Sequence, residues 1–328
     1  VFQQDIEKWL IDKEATALVT TYPVPGGREE KDAALAAQLA EIKEKMTDEE
    51  KQAIVDQTNA PKEEDDASAL VAQLQAVTLE SLPEEKKMYP VSDETDENGL
   101  RRVFVTADVD GVGRANLYLD ASGVAQEDIL WVKLFGALIG QLDTNQHTKE
   151  ELDVLWSRYL YNGAINLIAL EKDGKALPKF HMGWTSLDGD LADGYDLVYE
   201  LVYKTQFTDE AKLLEKVQAA KAAQRASINS RPDSMVFYRS LAAYSEYYRY
   251  MNYISLVDYY DFLTQVEAAL IENPEAVTEK LAAVQASLCN SANAVLTFVG
   301  SEESIEANRP LADAFAAKLG SEPIEPVA

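Results

Sequence analysis

The chain has little cysteine, little histidine and no long apolar run. Cys289 is the only cysteine, so no disulfide can form within the 328 residues, which fits a reducing compartment or a chain that needs no bridges. No apolar stretch approaches the roughly 20 residues that a membrane helix requires, and no signal peptide is visible. We therefore expect a soluble protein of the bacterial cytoplasm, with an organelle matrix as the alternative.

Positive charge is also scarce. The 30 lysine and arginine residues are outnumbered by 57 aspartates and glutamates, which gives a net charge of −27. Such a field repels phosphate backbones and argues against nucleic-acid binding, whereas it attracts cationic partners. A basic, amphipathic peptide would suit this field. The simpler interpretation is that the acids are solvated helix faces that keep the protein in solution.

The two histidines, His147 and His181, are too few for a ready zinc site. Neither has a second histidine or a cysteine at the spacing of helix ligands, so a zinc ion would need distant carboxylates. We expect instead that one of the two histidines lies at the start of a helix and that the other lies in a strand. Cys289 could act as a nucleophile beside a histidine, but its neighbours Leu288 and Ala292 favour a buried structural thiol.

Two loops resemble ligand-binding motifs but lack the residues that these motifs need. The segment from Asp188 to Gly194 has Ala192 and Asp193 at the fifth and sixth positions of a calcium loop, where an oxygen ligand and a glycine belong. It is typical of a strand-to-helix turn with acidic N-cap residues. Gly111-Val112-Gly113 lacks the third glycine of a phosphate loop, so we interpret it as a hairpin turn.

The middle of the chain predicts two strands followed by a buried helix. The strands are Leu100–Val109 and Gly113–Ala121. Asn98-Gly99 and Asp110-Gly111 supply residues that tolerate positive φ at tight turns, which indicates a hairpin. From Glu127 to Leu142 the apolar residues leave almost no polar face, so this helix is expected to be central and buried on nearly every side.

The second half predicts helices gathered on an antiparallel sheet, which is an α+β domain. Thr148-Lys149-Glu150-Glu151 has the spacing of a capping box, and it starts a helix that runs to about Tyr161. Further predicted strands cover 164–170, 179–186 and 294–299, and further predicted helices cover 191–203, 209–228, 234–252, 256–270, 274–288 and 305–319.

The first part of the chain is predicted to be helical and charged. After the breaker Pro23–Gly27, the segment Arg28–Gln57 is a predicted helix with a second capping box at Thr47–Glu50, which marks a helix break. A turn leads to a second helix over Ala67–Val77, and the two helices form an αα-hairpin. Prolines at positions 83 and 90 punctuate an extended connection into the strands.

Eight tyrosines crowd the span from Tyr238 to Tyr260. The i, i+4 spacing predicts an inward-facing stripe on one long helix. The remaining tyrosines either pack in the same way or line a peptide-holding wall or an interface. The predicted stripe consists of Phe237, Leu241, Tyr244, Tyr248 and Met251.

Strand, buried helix, a break at Asp143-Thr144 and a second capped helix, in this order, resemble the pitrilysin or insulinase-type zinc metallopeptidases, most closely their presequence-protease branch. In that family the central helix of the catalytic repeat carries the zinc motif H-x-x-E-H shortly before a Gly-Thr pair. The matching positions here are Leu134, Ala137 and Leu138. Because these side chains can neither hold zinc nor take a proton, the resemblance implies a repeat without catalytic, cofactor-binding or metal-binding residues.

The resemblance extends along nearly the whole chain and divides it into three parts. Residues 1–22 resemble the tail of a preceding α+β repeat, with its last strand at Leu18–Pro23. Residues 23–92 resemble the helical hairpin that links the two halves of such a protease. Residues 93–328 resemble a non-catalytic α/β roll, an antiparallel sheet covered by helices. Because the chain starts with Val1, we interpret it as a piece of a longer protein.

The resemblance implies a non-catalytic, zinc-free segment of a zinc metalloendopeptidase that degrades unstructured peptides. The segment would help to form the closed substrate chamber, with the catalytic half of the same polypeptide as its partner and zinc only in that half. Two alternatives stay open. The first is a stand-alone peptide-binding or scaffold subunit with the same fold. The second is an unrelated acidic helical interaction protein, which would be supported if the segment Leu100–Ala121 proved to be helical.

Overall fold

The structure is a computed structural model that falls into two compact units, Val1–Glu84 and Glu85–Ala328. The boundaries predicted after residues 22 and 92 stay predictions, although the first strand of the second unit crosses the later one. The described residues are 2–11, 17, 19–20, 22, 25–59, 88–97, 99–288 and 294–319.

The described residues of the first unit include several helices. Helix α1 covers Phe2–Ile6 and continues as a π-helical turn, while α2 covers Gly27–Lys45 and α3 covers Asp48–Asn59. The predicted capping box between α2 and α3 is confirmed. The Glu50 amide donates to Thr47 Oγ1 at 3.2 Å, and the Thr47 amide donates to the Glu50 carboxylate at 2.8 Å.

Two further predictions concern this unit, and the described residues bear on one of them. The partner helix predicted at Ala67–Val77 lies outside the described residues. The strand predicted at Leu18–Pro23 is not seen, since Val19, Thr20 and Tyr22 belong to no strand and the other positions are not described. An extended segment needs a neighbouring sheet to pair its backbone groups, and no ladder among the described residues includes these positions.

The second unit is built on one six-stranded sheet with the order β1-β2-β6-β3-β5-β4. The strands are β1 Val91–Thr95, β2 Arg101–Thr106, β3 Val112–Asp120, β4 Tyr161–Lys172, β5 Lys175–Leu187 and β6 Ala294–Gly300. The helices are α4 Ile129–Leu138, α5 Lys149–Tyr159, α6 Leu191–Lys204, α7 Glu210–Ser230, α8 Pro232–Leu241, α9 Glu246–Ser255, α10 Val257–Glu272, α11 Pro274–Leu288 and α12 Glu302–Lys318. The α+β prediction is confirmed.

The predicted hairpin between β2 and β3 is wrong, although both strands exist. The Gly99 turn joins β2 to β1 instead, and β6 lies between β2 and β3. Gly99 and Gly111 do adopt positive φ, at 84° and 72°. The turns were therefore recognisable locally. The pairing was not, because β6 comes from the end of the chain.

The sheet is mixed, not purely antiparallel as predicted. Strand β6 is parallel to β2 and antiparallel to β3. All its residues are apolar apart from Thr297 and Gly300, and such a sequence suits a central strand that has neighbours on both sides. Because residues 101–106 and 112–120 are strands, the alternative of an unrelated helical protein is excluded.

The core lies between the helices and one face of the sheet. Every second residue of the central strands points into it and is buried, while the residues between them form the opposite, partly exposed face. Helix α4 is the most apolar element of this layer and has seven buried residues out of ten. Its predicted central position is confirmed. The buried strand residues include Ala115, Leu117, Leu119, Phe180, Met182, Trp184, Leu296 and Phe298.

The single helix predicted over Ser234–Asn252 is wrong. The chain leaves the helical conformation after Leu241, and α9 restarts behind Ser245, whose hydroxyl accepts a hydrogen bond from the Tyr248 amide. A serine at an N-cap supplies the acceptor that the first helical amides lack.

No helix in the described part of the chain is long and apolar enough to cross a membrane.

We predict that Gly113→Ala destabilises the second unit by about 1–3 kcal/mol, because overpacking forces a core ring to move. An ideal Cβ at Gly113 would lie 2.2 Å from Cζ of Phe298, which is fully buried. Urea denaturation measures the loss. Gly189→Ala is the matched control, since nothing lies within 4 Å of its Cβ position. Equal stability of both variants would contradict the packing seen around Phe298.

Candidate functional site

The three positions that match the zinc motif differ in their exposure to solvent. Leu134 and Leu138 are 0% and 1% exposed and belong to the hydrophobic core, whereas Ala137 is exposed. Leu134 and Leu138 lie one turn apart on the buried side of α4, and Ala137 lies at the exposed edge of that side, about 60° of helix rotation from Leu134. A metal ligand at position 134 or 138 would therefore face packed side chains and not a cleft.

We predict that restoring the motif does not restore zinc. The triple substitution Leu134→His, Ala137→Glu and Leu138→His buries two imidazoles without partners, so it should lower the free energy of unfolding by at least about 3 kcal/mol. Metal analysis after dialysis should find no stoichiometric zinc. Ala137→Glu alone, at the exposed position, should change stability by less than about 0.5 kcal/mol. A folded triple variant that retains zinc would contradict this geometry.

His147 lies immediately before α5, as predicted, and helps to hold the loop that follows α4. Its Nδ1 lies 2.9 Å and 3.0 Å from the two carboxylate oxygens of Glu200 on α6. Glu200 is buried and also accepts a hydrogen bond from the Thr144 hydroxyl. Thr144 belongs to the break that follows the central helix. The network thus joins this loop to α6, and its role is structural.

Asp143, the neighbour of Thr144, completes the fixation of the loop. Its carboxylate accepts hydrogen bonds from Lys212 Nζ at 2.8 Å and from the Lys149 amide at 2.7 Å. The hydrogen bond from Lys212, followed by the one from the Lys149 amide, holds the pKa of Asp143 below its usual value. The predicted capping box of α5 is confirmed, with Thr148 and Glu151 bonded reciprocally. The start of α5 is therefore held by two independent acidic groups.

His181 lies on β5, as predicted, and faces the partly exposed side of the sheet. Its ring nitrogens lie 3.2 Å from Asn116 Oδ1 and 3.3 Å from Asn166 Oδ1, on the two neighbouring strands. Asn116 donates in turn to the Thr297 hydroxyl at 3.3 Å. A polar ladder thus crosses four strands, β4-β5-β3-β6. The ring also stacks on Tyr118 at 4.8 Å.

The surroundings of His181 favour the neutral form of its ring. Burial, and then the positive charge of Arg114, lower the pKa of His181 below its usual value. Arg114 donates to the Asn162 carbonyl at 3.0 Å and to the Thr185 hydroxyl at 3.3 Å. The ladder offers hydrogen-bonding groups but no base placed beside a nucleophile. Within the described residues, no group of three or more His, Cys, Asp or Glu could hold a metal ion.

The two loops that resemble ligand-binding motifs form turns, and Cys289 lies outside the described residues. Asp188–Asp190 forms a short 3₁₀ turn into α6, but Asp190 at the N-cap makes no capping hydrogen bond. The acidic cap predicted there is therefore wrong in detail. Asp188 accepts from the Ser304 hydroxyl at 2.8 Å instead. Gly111-Val112-Gly113 leads into β3.

The aromatic stripe predicted around Tyr238–Tyr260 is only partly inward. Phe237 and Tyr244 are exposed, at 54% and 90%, because the break between α8 and α9 ends the i, i+4 repeat. Tyr248 contacts Phe237 and Tyr238 in ring pairs with centroids 5.6 Å and 5.7 Å apart. Tyr259 is buried. Whether the exposed rings hold a peptide stays a prediction.

Lys133 is a desolvated lysine that the sequence pattern did not single out. It lies on α4, and its ammonium lies 4.9 Å from the centroid of the Tyr259 ring. Burial lowers its pKa from 10.5 to about 8. An amphipathic helix pattern predicts that lysines point to solvent, so nothing in the sequence indicated that Lys133 is desolvated. The missed partner Glu200 likewise sits among the apolar residues of α6.

We predict that Lys133→Met raises the free energy of unfolding by about 1–2 kcal/mol near pH 7, after the lost cation–π contact is subtracted. The folded-state pKa of Lys133 is below the unfolded value, so the unfolded chain binds the proton more tightly. Wild-type stability should therefore rise from about pH 8 towards pH 10, and the advantage of the variant should shrink there. Urea denaturation at both pH values tests this. The exposed control Lys172→Met should show no such trend, and a pH-independent gain for Lys133→Met would contradict the prediction.

Comparison with known proteins adds a family match. The family model described as peptidase M16-C associated matches residues 22–266, which is more than half of the chain. Protein HypA of Clostridium perfringens (strain 13 / Type A) is 22% identical over 311 residues, which cover 93% of this chain and 32% of that protein. The chain thus spans about a third of the length of this curated relative.

Two solved structures share the fold. The inactive domain of a peptidase M16 from Pseudomonas fluorescens superposes with a TM-score of 0.51 at 15% identity, covering 72% of this chain and 52% of that one. A protease from Helicobacter pylori superposes with a TM-score of 0.52 at 16% identity, covering 73% of this chain and 54% of that one. At these identities the likeness shows the fold alone, and it agrees with the predicted α+β architecture.

Proposed function

The chain belongs to the peptidase M16-C associated family, and from this premise we propose that it is the non-catalytic, zinc-free segment of a zinc metallopeptidase that degrades unstructured peptides. Its resemblance to a non-catalytic pitrilysin-type repeat agrees with the family match. The finer assignments, namely the presequence-protease branch and a contribution to a closed substrate chamber, are part of this proposal.

One observation carries the proposal. The positions that would hold zinc are occupied by core leucines, Leu134 and Leu138, whose burial is part of the fold. Zinc needs nitrogen, sulfur or carboxylate ligands with an open coordination position for water. Hydrolysis therefore has to come from another repeat, and we assign it, with its zinc, to a catalytic half of the same polypeptide.

The charge of the chain supports the assignment of its ligands. A net charge of −27 favours unfolded, basic peptides over nucleic acids and over anionic membrane surfaces. The polar ladder around His181 would add hydrogen bonds that do not depend on peptide sequence, because backbone amides and carbonyls are common to all peptides. We propose no nucleic-acid or membrane partner, and we keep the bacterial cytoplasm as the expected location.

Two preparations test the proposal. The purified chain should contain no stoichiometric zinc and cleave no unfolded peptide, because α4 has no metal ligands. The complete polypeptide should carry an H-x-x-E-H motif outside this chain, bind zinc and cleave unfolded peptides but not folded proteins. Removal of residues 85–328 should abolish that cleavage. Metal analysis and cleavage of a quenched fluorescent peptide measure these outcomes.

The same experiment separates the alternatives. A complete polypeptide without a zinc motif, in which the chain binds peptides without cutting them, would favour a stand-alone binding or scaffold subunit. Stoichiometric zinc and peptide cleavage by the isolated chain would overturn the proposal. Rising ionic strength should weaken peptide capture by the complete protein, because the attraction is between charges.

A further inference from the structure

An apolar groove lies between the start of α4 and the side of α10. Its floor consists of Leu130 and Trp131 on α4 and of Phe262, Val266 and Ala269 on α10. The three α10 residues form one helical stripe, and Trp131 meets Phe262 edge to face with centroids 5.1 Å apart. The groove has a volume of about 620 Å³. This is enough room for apolar side chains of a ligand.

The rim of the groove carries three exposed carboxylates, Glu127, Asp258 and Asp261. None of them has a basic partner within 4.0 Å among the described residues, whereas the neighbouring Asp128 pairs with Lys280 at 2.5 Å. No lysine or arginine belongs to the described lining. The groove therefore combines an apolar floor with uncompensated negative charge.

The carboxylates also act on the interior of the groove. Tyr253 lines it, and burial, followed by the negative charges of Asp258 and Glu127, raises the pKa of its hydroxyl. The nearest described cation on α4 is Lys133, but its ammonium lies over the Tyr259 ring and does not line the groove. All charged side chains in the described lining of the groove are therefore carboxylates.

We propose that this groove binds a basic, amphipathic peptide segment. An apolar side chain would pack between Trp131 and Phe262, while lysine or arginine side chains pair with the rim carboxylates and lay their aliphatic stems on the floor. The inference rests on the proposed function only in taking unfolded peptides as the ligand class. A second copy of this chain is disfavoured as occupant, because both copies carry a net charge of −27.

The test is fluorescence anisotropy with the purified 328-residue chain and a labelled peptide that places leucine and lysine on opposite faces of a helix. The double substitution Asp258→Asn and Asp261→Asn should weaken binding about threefold to tenfold, because two rim charges are lost. The matched control, Glu272→Gln and Glu275→Gln, removes the same charge outside the groove and should leave affinity unchanged. Both control positions are exposed.

A second pair of variants checks the position of the ligand without touching the core. Gln265→Arg places a cation in the groove and should weaken binding, while Ala268→Arg, one turn further along α10 and outside the described lining, should not. Equal effects of groove and control variants, or none at all, would show only diffuse charge attraction and overturn the proposal. Equal binding of a peptide with serine in place of leucine would do the same.

The result is independent of proteolysis. Loss of groove binding with intact cleavage by the complete polypeptide would overturn the groove but not the proposed function. Groove binding by the chain, combined with a complete polypeptide that has no protease activity, would overturn the proposed function but not the groove. A change of sedimentation coefficient in the groove variants would identify a second copy as the occupant and overturn the peptide assignment.

Discussion

The packing of α4 against the sheet is the interaction on which the rest of the structure depends. Leu134, Phe135 and Leu138 are almost fully buried, and the Phe135 ring lies 5.4 Å from that of Phe180 on β5. Each such side chain contributes about 1.5–3 kcal/mol through burial. The same burial closes the face on which a metal site would have to open. A polar metal ligand in place of either leucine would therefore lose this contribution to stability.

Polar interactions fix the position of α4 relative to its surroundings. The loop behind it is held by Thr144, His147 and the buried Glu200, and by the hydrogen bonds of Asp143. Buried polar networks are costly unless every member is paired, and here the carboxylate of Glu200 has partners on two sides. On the other face of the sheet, the ladder through His181 connects four strands by hydrogen bonds between polar side chains. These groups orient elements, and they bring no nucleophile and base together.

The positions of the acidic side chains determine which ligand the chain attracts more than its net charge does. Several acidic side chains, such as Asp120 and Glu267, are paired with lysines. The three carboxylates around the α4–α10 groove have no basic partner within 4.0 Å in the part of the chain that the structure describes, and they lie beside aromatic rings. Charge that is paired mainly supports the fold, whereas unpaired charge beside an apolar floor attracts a ligand of opposite charge and apolar character. The proposed peptide ligand follows from this difference.

The sequence by itself determined the features that depend on neighbouring residues. Both capping boxes, the positive-φ turns at Gly99 and Gly111 and the predominantly apolar α4 were predicted correctly, because capping, turn geometry and side-chain hydrophobicity are local. The α+β class followed from the order of elements. The helix break after Leu241 also depends on a local residue, the N-cap Ser245. It was missed because the i, i+4 spacing of the aromatic residues indicated one continuous helix.

Only the tertiary structure decided which elements meet. The insertion of β6 between β2 and β3, the parallel β2–β6 pair, the buried Glu200 behind His147 and the desolvated Lys133 all join residues that are distant in sequence. So does the groove that places Trp131 beside Phe262. Strand pairing and desolvation depend on residues from distant parts of the chain that pack against an element. A local sequence pattern does not indicate which residues these are.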